Sequence, residues 1–294
     1  MITPSPIEER VFVLGTGRLG TALLRELSEA GVAVAGAWTR SSERAAEVAR
    51  DLGVAVQHGP LPDLAAADIV LLTIPDSAIA TTAAQLAHGG RLTRHHILLH
   101  CSGALPADVL RHDPGCPRAV GCYHPLQSFS RRKQLCREYF VALQGEESAL
   151  ECGKALARAL GHPTFEVLPE SKALYHAGAV LAANFLVTLL GYGAELLSRG
   201  GVPYETALRA LSQLASGAIE NLRHECPCDS LTGPVARGDA ETVARHLAAL
   251  CDNAPELTTL YRVMGRYTLA LITSRGKTRP GDERLRDLFM ERKE

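Results

Sequence analysis

The stretch VFVLGTGRLGTALLRELSEAG, residues 11–31, constrains this chain more than any other. A short apolar run enters Gly15-x-Gly17-x-x-Gly20, and an amphipathic segment follows at once, with Ala22, Leu23 and Leu27 on one face. Gly15 permits a tight turn out of a strand. Gly17 lets the backbone approach a pyrophosphate, and Gly20 lets the helix pack close to the strand. The helix start then faces the phosphates. The motif stands between a strand and a helix, with a second strand about twenty residues on, which is the context a dinucleotide-binding turn requires.

The apolar runs continue in alternation with helical patterns. VAVAGAWT (32–39) reads as the second strand, and SSERAAEVARDLG (41–53) as a helix capped by a serine and closed by Gly53. ADIVLLTIPDSAI (67–79) holds a third strand, a turn at Pro75-Asp76 and a helix start. HHILLHCSG (95–103) is a further strand ending in small residues. Two weaker strands, 138–145 and 164–168, flank a helix at 148–161. From Pro169 the pattern is helical: one long apolar helix to about Arg199, then helices near 203–223, 239–251 and 254–274, and a charged tail with one short helix. The fold class is therefore α/β, a Rossmann doubly wound parallel sheet followed by an all-α C-terminal domain. The expected division is residues 1–168 for an NADP-binding domain and 169–294 for a helical substrate and dimerisation domain.

Bulk properties fit that plan. A chain of 294 residues suggests two domains, and 46% hydrophobic residues provide ample core. A net charge of -1 gives no global pull towards nucleic acid or an anionic membrane. MITPSPIEER lacks the basic and apolar blocks of a signal peptide, and no uninterrupted apolar run has spanning length, so the expected compartment is the cytoplasm, without membrane or nucleic-acid partners. The eight cysteines are scattered, as reduced cytosolic thiols are. HECPC (224–228) lacks the paired Cys-x-x-Cys arrangement of a zinc site and reads as a loop with ordinary thiols, so no metal is expected.

The tip of the second strand selects the cofactor. An NAD enzyme usually carries an acid there to hold the ribose hydroxyls. Here the residues are Arg40, Ser41 and Ser42, a guanidinium and two hydroxyls suited to a 2′-phosphate. NADP(H) is the expected cofactor, although Ser41 also suits plain helix capping. Ligands in this architecture lie beyond the carboxyl ends of the strands. Gly15, Thr16, Gly17, Arg18, Leu19 and Gly20 would therefore line it, with Ile74, Pro75 and Ser77 from one turn and Cys101, Ser102 and Gly103 from another.

A reductase must also place a carbonyl or imine near the nicotinamide and supply a proton. His100, Ser102, His124, Lys172 and His176 are the candidates. GCYHPLQSF (121–129) reads as a substrate-facing loop. Lys172 and His176 are one helical turn apart, and Asn184 lies about 80° round the helix from His176. The alternative is a structural, hydrogen-bonded role for each histidine and solvent exposure for Lys172.

HCSGA, YHPLQSF, KALYHAGAVLAANF and LTGPVARGD together resemble a bacterial subgroup of the 6-phosphogluconate dehydrogenase-type oxidoreductases, over nearly the full chain. That superfamily includes pyrroline-5-carboxylate reductase, ketopantoate reductase and β-hydroxyacid dehydrogenases. The subgroup joins a Rossmann-like domain to a C-terminal domain of unknown function. The resemblance implies NADPH-dependent reduction of a small carboxylate-bearing 2-oxo acid, ketopantoate-like, or of an imine. It places Lys172 at the superfamily's helix Lys and LTGPVARGD, with Thr232 and Arg237, at a substrate-facing loop. Together with the candidates read from the residues, the expected catalytic residues are Lys172, His176 and His124, and the expected substrate contacts are His100, His124, Asn184, Thr232 and Arg237. His176 stands where the wider superfamily has Asn four residues after the Lys. The alanine-rich helices suggest a homodimer. Two other readings differ in class: an NADP-binding sensor or scaffold without turnover, and a reductase of another redox cofactor, as in deazaflavin-dependent NADP reductases.

Overall fold

The computed structural model describes residues 7–112, 117–129, 138–274 and 279–290. Cys116, Cys136 and the first six residues, about which the sequence raised expectations, lie outside them. The chain divides into two compact units, the first closing at Ala183 and the second opening at Asn184.

The first unit is an eight-stranded sheet in the order β3-β2-β1-β4-β5-β6-β7-β8. Its strands are β1 (Val11–Leu14), β2 (Val34–Thr39), β3 (Val56–His58), β4 (Ile69–Leu72), β5 (Ile97–His100), β6 (Ala119–Pro125), β7 (Val141–Gly145) and β8 (Thr164–Glu166). β1 to β6 run parallel, β7 is antiparallel to β6, and β8 is parallel to β7. β1, β4 and β5 are buried at every position, which is why they read as continuous apolar runs rather than alternating ones. The two faces carry separate cores. One includes Val11, Val13, Leu23, Leu27, Leu71 and Leu99; the other includes Phe12, Leu14, Val70, Leu72, Ile79 and Leu98.

The helices of this unit follow the expected punctuation. α1 (Arg18–Glu29) starts directly after Gly17. In α2 (Ser42–Leu52) the Ser41 hydroxyl accepts the Arg44 N–H, and Gly53 closes the helix in the left-handed region at φ 68°. α3 (Asp76–His88) follows β4, and α4 (Glu147–Ala159) lies between β7 and β8. Two strands depart from the sequence reading. β3 is only three residues long and escapes periodicity. β6 takes in Gly121–Pro125 of the expected loop: its proline closes the strand, and its residues are almost all buried because neighbours lie on both sides.

The single long helix expected at 170–199 is two segments, α5 (Lys172–Ala182) and α6 (Asn184–Arg199). Between them Ala183 is distorted, with φ −109° and ψ −61°, while staying in the right-handed α region. The second unit continues with α7 (Tyr204–Asn221), α8 (Pro227–Ser230), α9 (Gly233–Arg237), α10 (Ala240–Asn253), α11 (Thr258–Thr273) and α12 (Asp282–Phe289). Its core gathers Val243 and Leu247 of α10, Leu269 of α11, and Leu285 and Phe289 of α12. Asp282, nearly fully buried, pairs with Arg279 at 2.7 Å, and the same guanidinium donates to the Val235 carbonyl of α9. That satisfies the carbonyl end of α9 with a charged donor.

Large apolar side chains remain uncovered. Leu174 is 78% exposed, Val187 70% and Leu214 70%, with Leu181, Phe185 and Tyr267 also open to solvent. The segment Pro169–Arg199 is long and apolar enough to cross a membrane by length and composition. Its first residues nonetheless belong to the sheet unit, because Lys172 is buried against β6.

Candidate active site

The glycine turn has the shape a pyrophosphate needs. Gly15 takes φ 115°, and a Cβ there would stand 2.7 Å from the Thr73 carbonyl oxygen. A Cβ on Gly20 would strike the Gly15 carbonyl, so α1 lies directly on the turn. Gly17 is the opposite case: nothing stands within 4 Å of where its Cβ would be. α1 has no side-chain cap and no acid in its first turn, so the helix start presents uncompensated N–H groups. Thr16 Oγ1 is buried without a partner. Open space, free donors and an orphaned hydroxyl together fit a dinucleotide phosphate. Arg18 and Leu19 open α1, and Ile74 packs beside Gly15. Pro75 and Ser77 lie exposed at the start of α3.

At the end of β2, Arg40, Ser41 and Ser42 are exposed. The Ser41 hydroxyl caps α2 and donates to Glu43 at 2.6 Å. Arg44 escaped the sequence reading. Its guanidinium donates to the Thr16 carbonyl at 3.0 Å and to the Thr21 hydroxyl at 2.8 Å, bracing the glycine turn from α2. The available signal was its position one turn after Arg40.

The turn after β5 is held rigidly. His100 is fully buried; its Nδ1 accepts the Ser102 N–H and its Nε2 donates to the Pro106 carbonyl. Burial lowers its pKa to about 4, and the Lys172 charge adds to that, against the hydrogen bond to Pro106. Both ring nitrogens thus serve the turn itself, leaving no nitrogen for a substrate. The Ser102 hydroxyl donates to Asp76 at 2.8 Å and accepts the N–H groups of Ala104 and Leu105. Asp76, also missed from sequence, ties the start of α3 to this turn. Cys101 is buried beside it.

Gly103 is the point of convergence. A Cβ there would lie 2.7 Å from His176 Nδ1 and 2.8 Å from His124 Nε2. β5, β6 and α5 therefore bring three sequence candidates to one place. His124 Nδ1 lies 2.5 Å from the Tyr175 hydroxyl. Burial lowers the His124 pKa to about 4, reinforced by Lys172 and His176, so the ring is neutral near pH 7. Burial also raises the Tyr175 pKa, so the phenol keeps its proton. His176 Nδ1 is buried without a partner. Lys172 is only 3% exposed, which overturns the solvent-exposed alternative. Its Nζ lies 3.0 Å from Cys122 Sγ and 5.4 Å from the Tyr175 ring centre. The Cys122 thiol in turn donates to the Ser102 carbonyl at 3.2 Å. Tyr175 and Cys122 were not selected from sequence. Tyr175 sits three residues after Lys172, a spacing that puts both on one side of a helix.

Asn184, Thr232 and Arg237 belong to the second unit, and all three are exposed there. Asn184 opens α6, Thr232 precedes α9, and Arg237 ends it. Asp239 caps α10 through the Thr242 N–H, and the nearby Arg237 and Arg245 charges help hold its pKa low after those hydrogen bonds.

Two family models match the chain. Residues 10–102 match the model described as NADP oxidoreductase, coenzyme F420-dependent, and residues 139–268 match a domain of unknown function, DUF2520. No curated protein matches the sequence. Among solved structures, a candidate NADP oxidoreductase from Bacteroides fragilis has a TM-score of 0.70 at 24% identity, covering 89% of this chain and 98% of that one. Protein TM1727 from Thermotoga maritima has a TM-score of 0.67 at 25% identity, covering 91% of this chain and 100% of that one. The 1-pyrroline-5-carboxylate reductase of Streptococcus pyogenes has a TM-score of 0.61 at 16% identity, covering 90% and 98%. An open glycine turn, a helix start without an acid and the match over residues 10–102 agree, and the chain is an NAD(P)-dependent oxidoreductase.

Proposed function

We propose that the protein is an NADPH-dependent reductase of a small, carboxylate-bearing 2-oxo acid, ketopantoate-like, or of an imine, within the 6-phosphogluconate dehydrogenase-type superfamily. The observation that carries this reading is the convergence on Gly103 of His124 and His176, backed by Tyr175 and the buried Lys172. When bound, the nicotinamide supplies the hydride. The protein's part is to orient the acceptor carbon and deliver a proton to its heteroatom. His176 offers a buried nitrogen that a substrate heteroatom would satisfy. Lys172 polarises the site from beneath, where low dielectric strengthens its field. His124, neutral and held by Tyr175, positions the substrate. Asn184, Thr232 and Arg237 enter on their chemistry alone: an amide, a hydroxyl and a guanidinium suit a carboxylate.

NADPH is preferred to NADH in this proposal because Arg40 and Ser42 stand at the end of β2, where an acid would otherwise hold a ribose. The exposed apolar side chains on α5, α6 and α7 support a homodimer, with a second copy covering them.

The test follows loss of the near-ultraviolet NADPH absorbance against a panel of 2-oxo acids and cyclic imines, with a deazaflavin as a separate acceptor. Turnover of an oxo acid or imine is expected. The F420-dependent match over residues 10–102 favours the deazaflavin as a second reading, and turnover of that acceptor alone would replace the first. Tight NADPH binding with no turnover of any acceptor would leave a sensor or scaffold.

A further inference from the structure

We propose that Cys226, Cys228 and Asp229 form a binding site for one thiophilic divalent cation of the zinc class. The sequence HECPC reads as ordinary thiols, because the spacing is Cys-x-Cys rather than Cys-x-x-Cys. The fold adds a third donor. The backbone turns at once after Cys226: the Asp229 and Ser230 N–H groups both return to the Cys226 carbonyl. That single turn sets Cys226 Sγ 2.7 Å from Cys228 Sγ and 3.0 Å from Asp229 Oδ2, with all three donor atoms within 4.8 Å of one another. Pro227, between the cysteines, fixes one backbone angle and limits how far the pair can separate.

The donor set selects the ion. Two thiolates and one carboxylate suit zinc or a similarly soft cation, whereas magnesium and calcium demand all-oxygen shells. Three protein donors leave the fourth tetrahedral position to water. Both cysteines are half-buried and Asp229 is exposed, so an ion has a path in. A zinc ion with sulfur ligands at about 2.3 Å would hold them roughly 3.8 Å apart in a tetrahedron. The thiols must therefore separate by about 1 Å on binding, a small side-chain rotation at this degree of exposure. Each thiol that coordinates loses its proton to solvent, so binding releases about two protons and strengthens as pH rises. Leu231 and Thr232 follow directly, so the ion would also stiffen the approach to α9.

The experiment uses the full-length protein, reduced and stripped of metal, titrated with Co(II) as a spectroscopic stand-in for zinc. The expected result is a thiolate-to-cobalt charge-transfer band saturating at one equivalent and bleached by added Zn(II). Cys226→Ser and Cys228→Ser should lose the band. Asp229→Asn should keep it and weaken binding, because an amide oxygen is a poorer ligand than a carboxylate. Cys251→Ser, on α10, should behave as wild type. Circular dichroism of each variant separates loss of the site from loss of the fold. The proposal is overturned if the wild type shows no thiolate band, or if Cys226→Ser binds Co(II) as tightly as the wild type.

Discussion

His124 Nδ1 and the Tyr175 hydroxyl stand 2.5 Å apart, joining the end of β6 to the first turn of α5. Both groups are neutral near pH 7, since burial lowers the histidine pKa to about 4 and raises the tyrosine's. The contact fixes the imidazole so that Nε2 faces Gly103. Tyr175→Phe should therefore lower kcat by about tenfold or more, towards the range of a lost general acid. NADPH affinity should be unchanged, as measured by fluorescence titration. Wild-type kcat in this variant would remove Tyr175 from the site.

His176 and Lys172 are the two candidates for the proton donor of the proposed reaction. His176→Ala should cost about 10²–10⁴-fold in kcat, again with NADPH binding intact. His176→Asn separates two roles. Retained activity would show that an amide suffices and that Lys172 is the donor; near-complete loss would assign the proton to His176. Wild-type turnover in both His176→Ala and Lys172→Ala would move the chemistry elsewhere.

Stability should fall on acidification. His100 and His124 titrate near 6.5 when unfolded and at about 4 when folded. Between those values the unfolded chain binds more protons, so stability rises with pH. The contribution is fully present above about pH 6.5 and is lost as pH falls towards 4. Urea denaturation at pH 7.5 and pH 5 should show this loss, and His124→Gln should reduce its slope. Lys172→Met should raise the His124 pKa in an NMR titration, because the Lys172 charge helps depress it.

Two arginines should separate cofactor selectivity from turn integrity. Arg40→Ala should weaken NADPH about tenfold or more, the loss of roughly one charge-assisted contact, and leave NADH nearly unchanged. Arg44→Ala should weaken both cofactors, because Arg44 holds the Thr16 carbonyl and the Thr21 hydroxyl of the glycine turn. Equal losses for both cofactors in Arg40→Ala would withdraw the 2′-phosphate assignment.

Light scattering should report a dimer at micromolar concentration. Val187→Glu and Leu214→Glu place charges at two of the most exposed apolar positions of α6 and α7, and each should shift the population to monomer. A wild-type monomer, with or without NADP, would refute the assembly.

The sequence alone determined the sheet's centre and its glycine turn. β1, β4 and β5 are buried on both faces, and that environment leaves nearly continuous apolar runs. Gly15 and Gly20 were legible for a similar reason: backbone approaches there exclude any side chain. β6 was not legible, because its strand character comes from neighbours on both sides and not from its own alternation. The distortion at Ala183 falls within a largely apolar pattern, beside Asn184, that contains no proline there. The roles of individual histidines lay further still from the sequence. His100 and His124 look alike in sequence, yet one bonds only to its own turn while the other faces Gly103 beside His176. Lys172 lies at a helix start where exposure is the ordinary outcome, and contacts with residues about fifty positions earlier bury it against Cys122. Local patterns record which surfaces are buried. Which polar groups meet depends on contacts between residues distant in the chain, and only the tertiary structure decided those.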